Sequence, residues 1–549
     1  MESWELAVTY HEETKHHFHR FARSLGYMDW ANQPDPFRRY EPAPLLRLEL
    51  SGAEPAELPA YDDLYQTGSV AAQPVCFATI SALFEYSLGL SAWKQFGNSR
   101  WALRINPSSG NLHPTEGYLL AGPIDGLNQV AGVYHYAPKE HALERRTEFP
   151  LGTWNQLATG FPPGTIFVGL TSIHWREAWK YGERAYRYCQ HDAGHALAAV
   201  ALSAAAHGWT THHLGGISDA ALSRLLGLDR AGDFRHAERE HADAIVAICP
   251  CARLPQDLPN DLPGDAVERI ASGSWVGCAN RLSDSHDDWS LIDDTAAACI
   301  KPKTRSVEGH EAAHRAEPLP IDRPPIPARR IIRRRRSAVA MDGRTSITAR
   351  QLFLMMDRVL PRFDRAPWAA LGPPVCVHLG LFVHRVDGLS PGLYFLVRSR
   401  DQAEPLRAAT RSSFAWRKPP GCPESLPLYL LLEGDARRAA AQVSCGQDIA
   451  ADGAFAVAMM ADFEAPLRRY GGWFYRRLHW ETGMIGQVLY LEAEAAGIRS
   501  TGIGCFFDDP THDLFGLKGR AYQTLYHFTV GGPVDDLRLM TWPPYAGRE

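Results

Sequence analysis

The second half of the chain repeats the first, and this duplication restricts the fold more than any other feature of the sequence. Residues 181–187 (YGERAYR) align with residues 470–476 (YGGWFYR), and the alignment continues downstream without a gap. The matched positions downstream are Gly194 with Gly483, Ala204 with Ala493, Gly208 with Gly497, Gly215 with Gly504, and Gly227 with Gly516. Glycines matched at turns and helix ends indicate one backbone used twice, because such positions require special geometry. We therefore predict a duplicated domain that folds back on itself as an intramolecular pseudo-dimer, in place of a symmetric homodimer.

The chain length also points to more than one domain, since it has 549 residues. The composition changes between residues 276 and 328, where a polar stretch at 283–288 is followed by a proline-rich stretch at 317–327. We predict a first domain with an N-terminal extension over residues 1–275, a linker over 276–328, and a second domain over 329–549.

The charge and composition of the chain are those of an ordinary globular protein. The formal net charge is −5 and 45% of the residues are hydrophobic, so neither nucleic acid nor a membrane surface is favoured as a partner. The N-terminus lacks the features of a secretory signal, and no apolar run reaches the length needed to cross a bilayer. Ten scattered cysteines indicate a reducing compartment. We expect a soluble, cytoplasmic protein.

Two patterns could suggest a metal site, and neither has the full ligand spacing. Cys249 and Cys251 form one close pair without a second pair nearby, whereas zinc usually takes four ligands. The histidine-rich stretch 8–20 has His11-Glu12 but places Lys15 where a metalloprotease motif needs histidine. We interpret this stretch as a solvated helix start and expect no metal.

Residues 104–118 (RINPSSGNLHPTEGY) are too polar and too interrupted by proline and glycine for a core helix. Asn106-Pro107 favours extended or turning backbone. Ser108, Ser109, Gly110 and Asn111 then offer small hydroxyls, an amide and accessible backbone N–H groups, which suits an anionic or heteroaromatic ligand. An ordinary surface turn would use the same residue types, so the residues alone leave both interpretations open.

The stretch 106–116 resembles the flavin loop of the nitroreductase superfamily, and most closely that of the SagB/ThcOx-type dehydrogenases, the azoline oxidases of peptide natural-product pathways. The resemblance implies an α+β fold with a mostly antiparallel sheet flanked by helices, present twice. It also implies FMN as the cofactor. In this family the loop approaches an FMN that is held mainly by the other subunit of a dimer.

The second half carries residues that resemble the family's other flavin contacts. Arg335 and Ser337 resemble the phosphate-binding Arg-x-Ser motif, since a phosphate requires cationic and hydroxyl donors. The alternative interpretation is a basic tract at 329–336 that is solvated or binds nucleic acid, and one short run in an otherwise acidic chain argues against nucleic acid. By resemblance, Gly504 and Cys505 supply the backbone that meets the flavin N5, although the family often has an acidic residue in place of Gly504.

Each half lacks the motif that the other retains. The second half has no serines or asparagine at residues 371–378, and the first half has no clear Arg-x-Ser before its helix near residue 78. We therefore predict one competent composite FMN site and one degenerate site. The predicted cofactor-binding residues are Arg335, Ser337, Pro107, Ser108, Ser109, Asn111, Gly504, Cys505 and, as a further phosphate cation, Arg538.

Lys180 and Tyr181 match a Lys-Tyr pair that is implicated in catalysis in the azoline oxidases. Oxidation of a thiazoline or oxazoline ring needs hydride loss and removal of a proton from the neighbouring carbon. A desolvated lysine could act as the base and a tyrosine could relay or orient the proton. The second copy has Arg469-Tyr470, and arginine is a poor base. The alternative for Lys180 is a surface lysine at a helix start.

These observations predict an FMN-dependent dehydrogenase that aromatises azoline rings, or oxidises a related bond, in a peptide or small-molecule substrate. Molecular oxygen would reoxidise the flavin, a cyclodehydratase is the expected partner, and the pseudo-dimers could assemble further. Two alternatives stay open. One is an NAD(P)H-dependent reductase of nitro, quinone or enone compounds, and the other is a flavin-free scaffold or peptide-binding subunit.

Overall fold

The computed structural model describes residues 2–52, 59–305 and 317–546, and in it each half of the chain forms one large antiparallel sheet with helices packed against it. The predicted linker therefore lies within the described part of the chain except for residues 306–316.

The first half contains eight α-helices and eleven strands among its described residues. The helices are α1 Ser3–Glu13, α2 Phe77–Glu85, α3 Leu151–Leu157, α4 His174–Tyr181, α5 Ala185–Ala205, α6 Asp219–Leu226, α7 Gly264–Ala271 and α8 Ser290–Ala298. The strands are β1 Tyr40–Glu41, β2 Leu45–Arg47, β3 Leu90–Phe96, β4 Ser99–Arg104, β5 Thr115–Ala121, β6 Ala131–Ala137, β7 Ala142–Phe149, β8 Ile166–Ser172, β9 Thr210–His213, β10 His241–Cys249 and β11 Cys278–Ala279.

The second half contains the remaining elements of the described chain. The helices are α9 Ala328–Arg334, α10 Ala349–Arg358, α11 Ala403–Ala409, α12 Arg437–Val443, α13 Ile449–Asp452, α14 Glu464–Tyr470, α15 Phe474–Ala495 and α16 Asp508–Phe515. The strands are β12 Ile347–Thr348, β13 Val377–Val383, β14 Val386–Asp387, β15 Gly392–Leu396, β16 Leu428–Glu433, β17 Phe455–Asp462, β18 Arg499–Ile503, β19 Tyr522–Gly531 and β20 Met540–Trp542.

The order of the strands shows that the two halves share one fold. The first sheet runs β2-β7-β6-β5-β8-β10-β9 and the second runs β16-β15-β13-β17-β19-β18, so six strands correspond one to one. All pairings within these two sheets are antiparallel. The predicted α+β fold, present twice in one chain, is confirmed. Strand β8 is buried along its whole length, as its apolar sequence predicts.

The two halves meet where helix α5 packs against helix α15. Gly194 of α5 and Gly483 of α15 are matched in the sequence repeat, and they face each other at this crossing. A Cβ atom at Gly194 would overlap the backbone of Trp480, and one at Gly483 would overlap the carbonyl of His191. Helix α5 is rich in alanine, whose small side chain permits close approach of another helix, and it forms one half of the interface between the two copies.

The N-terminal segment lies between the halves, so the prediction of a solvated helix start there is wrong. Tyr10 and His11 are fully buried. The ring nitrogens of His11 lie 3.3 Å from the Tyr475 hydroxyl and 3.2 Å from the Gln523 side-chain oxygen. These partners come from the second half, more than 450 residues away, so no local pattern could reveal them.

The C-terminal strand joins the second half to the first. Strand β20 pairs with β3 of the first half, which forms a three-stranded sheet with β4. Trp93 of β3 donates a hydrogen bond of 2.8 Å to the Pro544 carbonyl, and the Leu90 amide donates one of 2.9 Å to the Tyr545 hydroxyl. The C-terminal segment is therefore held against the first half of the chain. Among the described residues, no helix combines the length and apolar character required to cross a membrane.

Candidate functional site

A cavity of about 780 Å³ lies between the two halves. Its wall combines the polar loop at residues 106–111 with residues 335–339, residues 501–505 and the C-terminal segment that leads into β20. A volume of this size is typical of pockets that hold a drug-sized or cofactor-sized ligand. The cavity therefore brings together stretches that the sequence analysis selected separately in each half.

The backbone of the polar loop is left-handed at several positions. Gly110 has φ 58°, and Asn111 and His113 have φ 61° and 54°. Glycine and asparagine tolerate this region, which explains the Ser-Gly-Asn sequence. The Asn111 side chain donates to the Ala102 carbonyl at 2.8 Å, and the His113 amide donates to the Ser108 hydroxyl at 2.8 Å. Asn111 thus holds the loop in shape as well as lining the cavity.

Two buried carboxyl groups, those of Asp192 and Glu177, lie next to the polar loop, and neither was predicted as a site residue from the sequence. The amide and hydroxyl of Ser109 donate to Asp192 at 3.1 and 3.2 Å. Burial raises the pKa of Asp192 to about 7. Burial and then the nearby Asp192 also raise the pKa of Glu177 well above its ordinary value. Glu177 precedes Lys180 by three residues on α4, a spacing that puts both side chains on one face of the helix. This spacing is the sequence feature that could have indicated Glu177 as a site residue.

Lys180 and Tyr181 lie at the end of α4, against the loop. A Cβ atom built on Gly110 would lie 2.6 Å from the Tyr181 hydroxyl and 3.1 Å from the Lys180 Nζ atom. Tyr181 lines the cavity, and its ring packs edge-on against Tyr188 with centroids 4.5 Å apart. Burial and then Glu177 raise the pKa of Tyr181 well above its ordinary value, so its hydroxyl stays protonated at neutral pH.

Arg335 reaches from the second half to the backbone of the first. Its guanidinium donates to the carbonyls of Arg104 at 2.9 Å and Ile105 at 3.1 Å, and it lies 5.1 Å from the centre of the Tyr490 ring. The residue is only 4% exposed, and no carboxylate of the described chain pairs with it. Burial lowers the pKa of Arg335. A buried cation without a carboxylate favours an anionic ligand in the cavity.

Ser337 lies close to Arg335 on the same wall. Its hydroxyl is 2.9 Å from the Tyr490 hydroxyl, which accepts a hydrogen bond of the same length from the Gly502 amide. The backbone of Ser337 also pairs with Ser500 in a parallel bridge. The Arg-x-Ser segment is therefore fixed beside β18.

Further cations surround Arg335 and were not predicted as site residues. Lys94, Arg336 and Arg499 all line the cavity. Burial lowers the pKa of Arg336 to about 10, with Arg335 and Arg499 adding to the effect. Burial, Arg336 and Arg499 likewise lower the pKa of Lys94. Arg499 has one carboxylate partner, Asp535, at 2.5 Å. Like charges this close repel one another, and an anion bound among them would relieve that repulsion.

Gly504 and Cys505 follow β18 and line the cavity. A Cβ atom at Gly504 would overlap the ring of Tyr188, so this ring explains why glycine stands where the family often has an acidic side chain. The structure does not bring Arg538 to the other predicted residues. Its side chain is 74% exposed and is not part of the cavity wall, although it pairs at 2.8 Å with Asp536, which lines the cavity.

At the position related to this cavity by the repeat, residues of the predicted linker contact the backbone. Residues 215–217 are the counterparts of residues 504–506, and Lys301 donates to the Ile217 carbonyl at 2.8 Å. Thr304 contacts the same segment through hydrogen bonds to the carbonyls of Gly215 and Gly216, each at 3.0 Å. Part of the predicted linker therefore lies against the backbone at the second position.

Comparisons with known proteins identify the class. The family model described as "Nitroreductase family" matches residues 73–236 and 396–532, once in each half, and the chain belongs to that family of oxidoreductases. Members of the family generally bind FMN.

The similar proteins agree with this assignment. A crystal structure described as a nitroreductase from Anabaena variabilis superposes with a TM-score of 0.68 at 22% identity, covering 96% of this chain and 99% of that chain, which shows the same fold along the whole length. A nitroreductase relative from Methanocaldococcus jannaschii is 28% identical over 126 residues, which are 22% of this chain and 62% of that protein. The Escherichia coli microcin synthetase complex matches 44% of this chain at 17% identity with a TM-score of 0.26, a value too low to support an argument.

Proposed function

We propose that this protein is an FMN-dependent dehydrogenase that oxidises azoline rings, or a related bond, in a peptide-derived compound. The observation that carries the proposal is the position of Arg335. This buried arginine of the second half binds the backbone of the first half directly before the polar loop, and it lines one cavity with Tyr181. Lys180 lies against Gly110 of the same loop.

The residues around the cavity fit FMN. Arg335, Arg336, Arg499 and Lys94 supply the positive charge that a phosphate requires, and Ser337 supplies a hydroxyl donor. The loop at residues 107–111 and the backbone at Gly504 and Cys505 would hold the flavin ring. FMN, when bound, supplies the acceptor for a hydride.

The remaining chemistry belongs to the side chains at the end of α4. Lys180 would take the proton from the carbon next to the one that loses hydride, since its Nζ atom lies beside the loop. Tyr181 would donate a hydrogen bond to the substrate or to Lys180, because its raised pKa keeps the hydroxyl protonated. The strongly raised pKa of Glu177 keeps its carboxyl protonated at neutral pH, whereas Asp192, with a pKa raised to about 7, is only partly protonated there; both reduce the negative charge next to the reacting groups.

Exposed aromatic side chains beside α4 favour a substrate with apolar groups, such as a modified peptide. Trp30 is exposed and packs on Trp179, the residue before Lys180, with ring centroids 5.6 Å apart. Phe18 and Phe21 are also exposed and pack on Phe507. Clustered apolar surface of this kind is typical of binding sites. A cyclodehydratase that forms the azoline ring is the expected partner.

The flavin content of the purified protein tests the proposal. We expect about one FMN per chain, because among the described residues only one of the two repeat-related positions combines the loop at residues 107–111 with Arg335 and Ser337. Denaturing the protein and measuring released FMN by its absorption gives the ratio. Two FMN per chain would show that the repeat-related position at Lys301 also binds flavin. No FMN, even after incubation with an excess, would favour the flavin-free scaffold.

Family membership also supports a second candidate, an NAD(P)H-dependent reductase of nitro, quinone or enone compounds. Steady-state oxidation of NAD(P)H distinguishes the two functions. Rapid oxidation coupled to such an acceptor, without oxidation of an azoline peptide, would favour the reductase.

Replacing Gly110 with alanine is expected to lower turnover of an azoline substrate by roughly tenfold to a hundredfold. The new methyl group would press on the Tyr181 hydroxyl and the Lys180 amine, and small displacements of reacting groups are costly. Gly97 is the matched control, because it has a similar φ of +54° and no atom lies within 4 Å of a methyl group added there. Both variants should lose about 1 kcal/mol of stability from the left-handed backbone. Equal turnover in the two variants would contradict the assignment.

A further inference from the structure

The cavity wall at Cys505 brings together three side chains that the sequence analysis did not connect. The Sγ atoms of Cys445 and Cys505 lie 2.6 Å apart, and the Sγ atom of Cys505 lies 3.6 Å from Nδ1 of His16. Cys505 lines the cavity, and both cysteines are partly buried. The cluster draws one residue from the N-terminal segment and two from separate loops of the second half.

Hydrogen bonds hold the three segments that carry these side chains against one another. The Gln447 side chain donates to the Cys505 carbonyl at 3.0 Å, and the Phe507 amide donates to the Val443 carbonyl at 2.8 Å. The His16 amide donates to Asp508 at 2.9 Å. Hydrogen bonds on both sides of Cys445, and at and after Cys505, therefore hold these segments together independently of any bond between the two sulfur atoms.

The distance between the sulfur atoms favours a dithiol over a metal site. Two thiolates on one tetrahedral zinc ion, each about 2.3 Å from the metal, lie about 3.8 Å apart. The separation of 2.6 Å is much shorter and approaches the about 2.05 Å of a covalent disulfide. Among the described residues, His16, Cys445 and Cys505 form a group of three potential metal ligands, whereas zinc usually takes four.

We propose that Cys445 and Cys505 form a reversible disulfide by exchange with a low-molecular-weight disulfide that enters the cavity. Cys505, which faces the cavity, attacks one sulfur of the small disulfide as the thiolate. This step forms a mixed disulfide and releases one small thiolate, which takes up a proton. Cys445 then gives up its proton and attacks the Sγ atom of Cys505, which forms the protein disulfide and releases the second small thiol. The protein loses two electrons and two protons, and the small disulfide gains them.

The surroundings of Cys505 suit it to the first step. The contact with Cys445 and the nearby His16 lower the pKa of the Cys505 thiol, and Arg184 adds to the effect. The same contact, together with burial, raises the pKa of Cys445. Cys505 is thus the attacking thiol and Cys445 the resolving thiol. The inference does not depend on bound flavin, because the thiols and the small disulfide account for every electron.

The test uses the full-length protein with oxidised glutathione as the probe. A Cys278→Ser background removes the exposed thiol. After incubation at pH 7.5 and alkylation of the remaining thiols, peptide mapping by mass spectrometry should find Cys445 joined to Cys505. Reduction with dithiothreitol should return both thiols. In the same background, Cys445→Ser should stop at glutathione attached to Cys505, whereas Cys505→Ser should leave Cys445 unmodified.

Three results would overturn the proposal. The first is complete alkylation of both cysteines after incubation with oxidised glutathione. The second is glutathione retained on Cys505 when Cys445 is present. The third is a stoichiometric zinc ion in the purified protein, measured by atomic emission, that protects both thiols until a chelator is added. The first two measurements need no variant at these positions, so a folding defect cannot obscure them.

Discussion

Replacing Arg335 with alanine should weaken FMN binding by roughly 30-fold to 4,000-fold, while binding of riboflavin changes little. Removing one partner of a buried, hydrogen-bonded charge pair costs about 2–5 kcal/mol, and every 1.4 kcal/mol is a tenfold change in affinity. Riboflavin lacks the phosphate, so the difference between the two ligands isolates the interaction assigned to the guanidinium. Quenching of flavin fluorescence during titration of the apoprotein measures both affinities.

Arg334→Ala is the matched control for this substitution. Arg334 is the neighbouring residue, but its side chain is 61% exposed and pairs with Glu494 at 3.2 Å. Its replacement should leave FMN affinity unchanged. Arg335 also holds the carbonyls of Arg104 and Ile105, so a general collapse of the loop would weaken both ligands equally. Equal losses for FMN and riboflavin, or no loss for either, would reject the phosphate assignment.

Replacing Lys180 with methionine should lower turnover of an azoline substrate by about 100-fold to 10,000-fold and leave FMN bound. General acid–base groups contribute rate factors of this size, and methionine keeps much of the length of the side chain without its amine. Flavin content and turnover are measured on the same preparation, so loss of cofactor can be separated from loss of chemistry.

The second copy supplies the control for Lys180. Arg469 occupies the repeat-related position and is exposed, with its guanidinium 5.1 Å from the Tyr470 ring. Arg469→Met should leave both flavin content and turnover unchanged. Full turnover in the Lys180→Met protein would remove this lysine from the mechanism, and a similar loss in both variants would indicate a structural effect common to the two copies.

The repeat in the sequence was sufficient to predict the duplication, and the resemblance at residues 106–116 supplied the type of fold. Matched glycines such as Gly194 and Gly483 reflect a backbone constraint that survives changes in the surrounding side chains, and the two sheets have the same strand order. The local motifs were also informative, since the loop at 107–111, Arg335, Ser337, Tyr181 and Cys505 all line one cavity. Each of these residues belongs to a short contiguous motif, and a resemblance to a known family can identify such a motif.

The remaining site residues could not be predicted because they converge only in the folded chain. Lys94 and Arg499 join Arg335 from distant strands, and Asp192 meets Ser109 across 83 positions of sequence. Arg538 shows the converse case. It lies in a C-terminal segment that does line the cavity, but its own side chain is 74% exposed, pairs with Asp536 and takes no part in the cavity wall.

The covalent link between the two halves has a consequence for how this site can evolve. In a homodimer every substitution appears at both symmetric sites, so neither can change without the other. Here the halves are encoded separately, and at the position related to the cavity by the repeat Lys301 and Thr304 hold the connecting segment against residues 215–217. Dilution cannot separate the halves either, so the composite site persists at concentrations where a weak dimer would dissociate into monomers that each hold half a site.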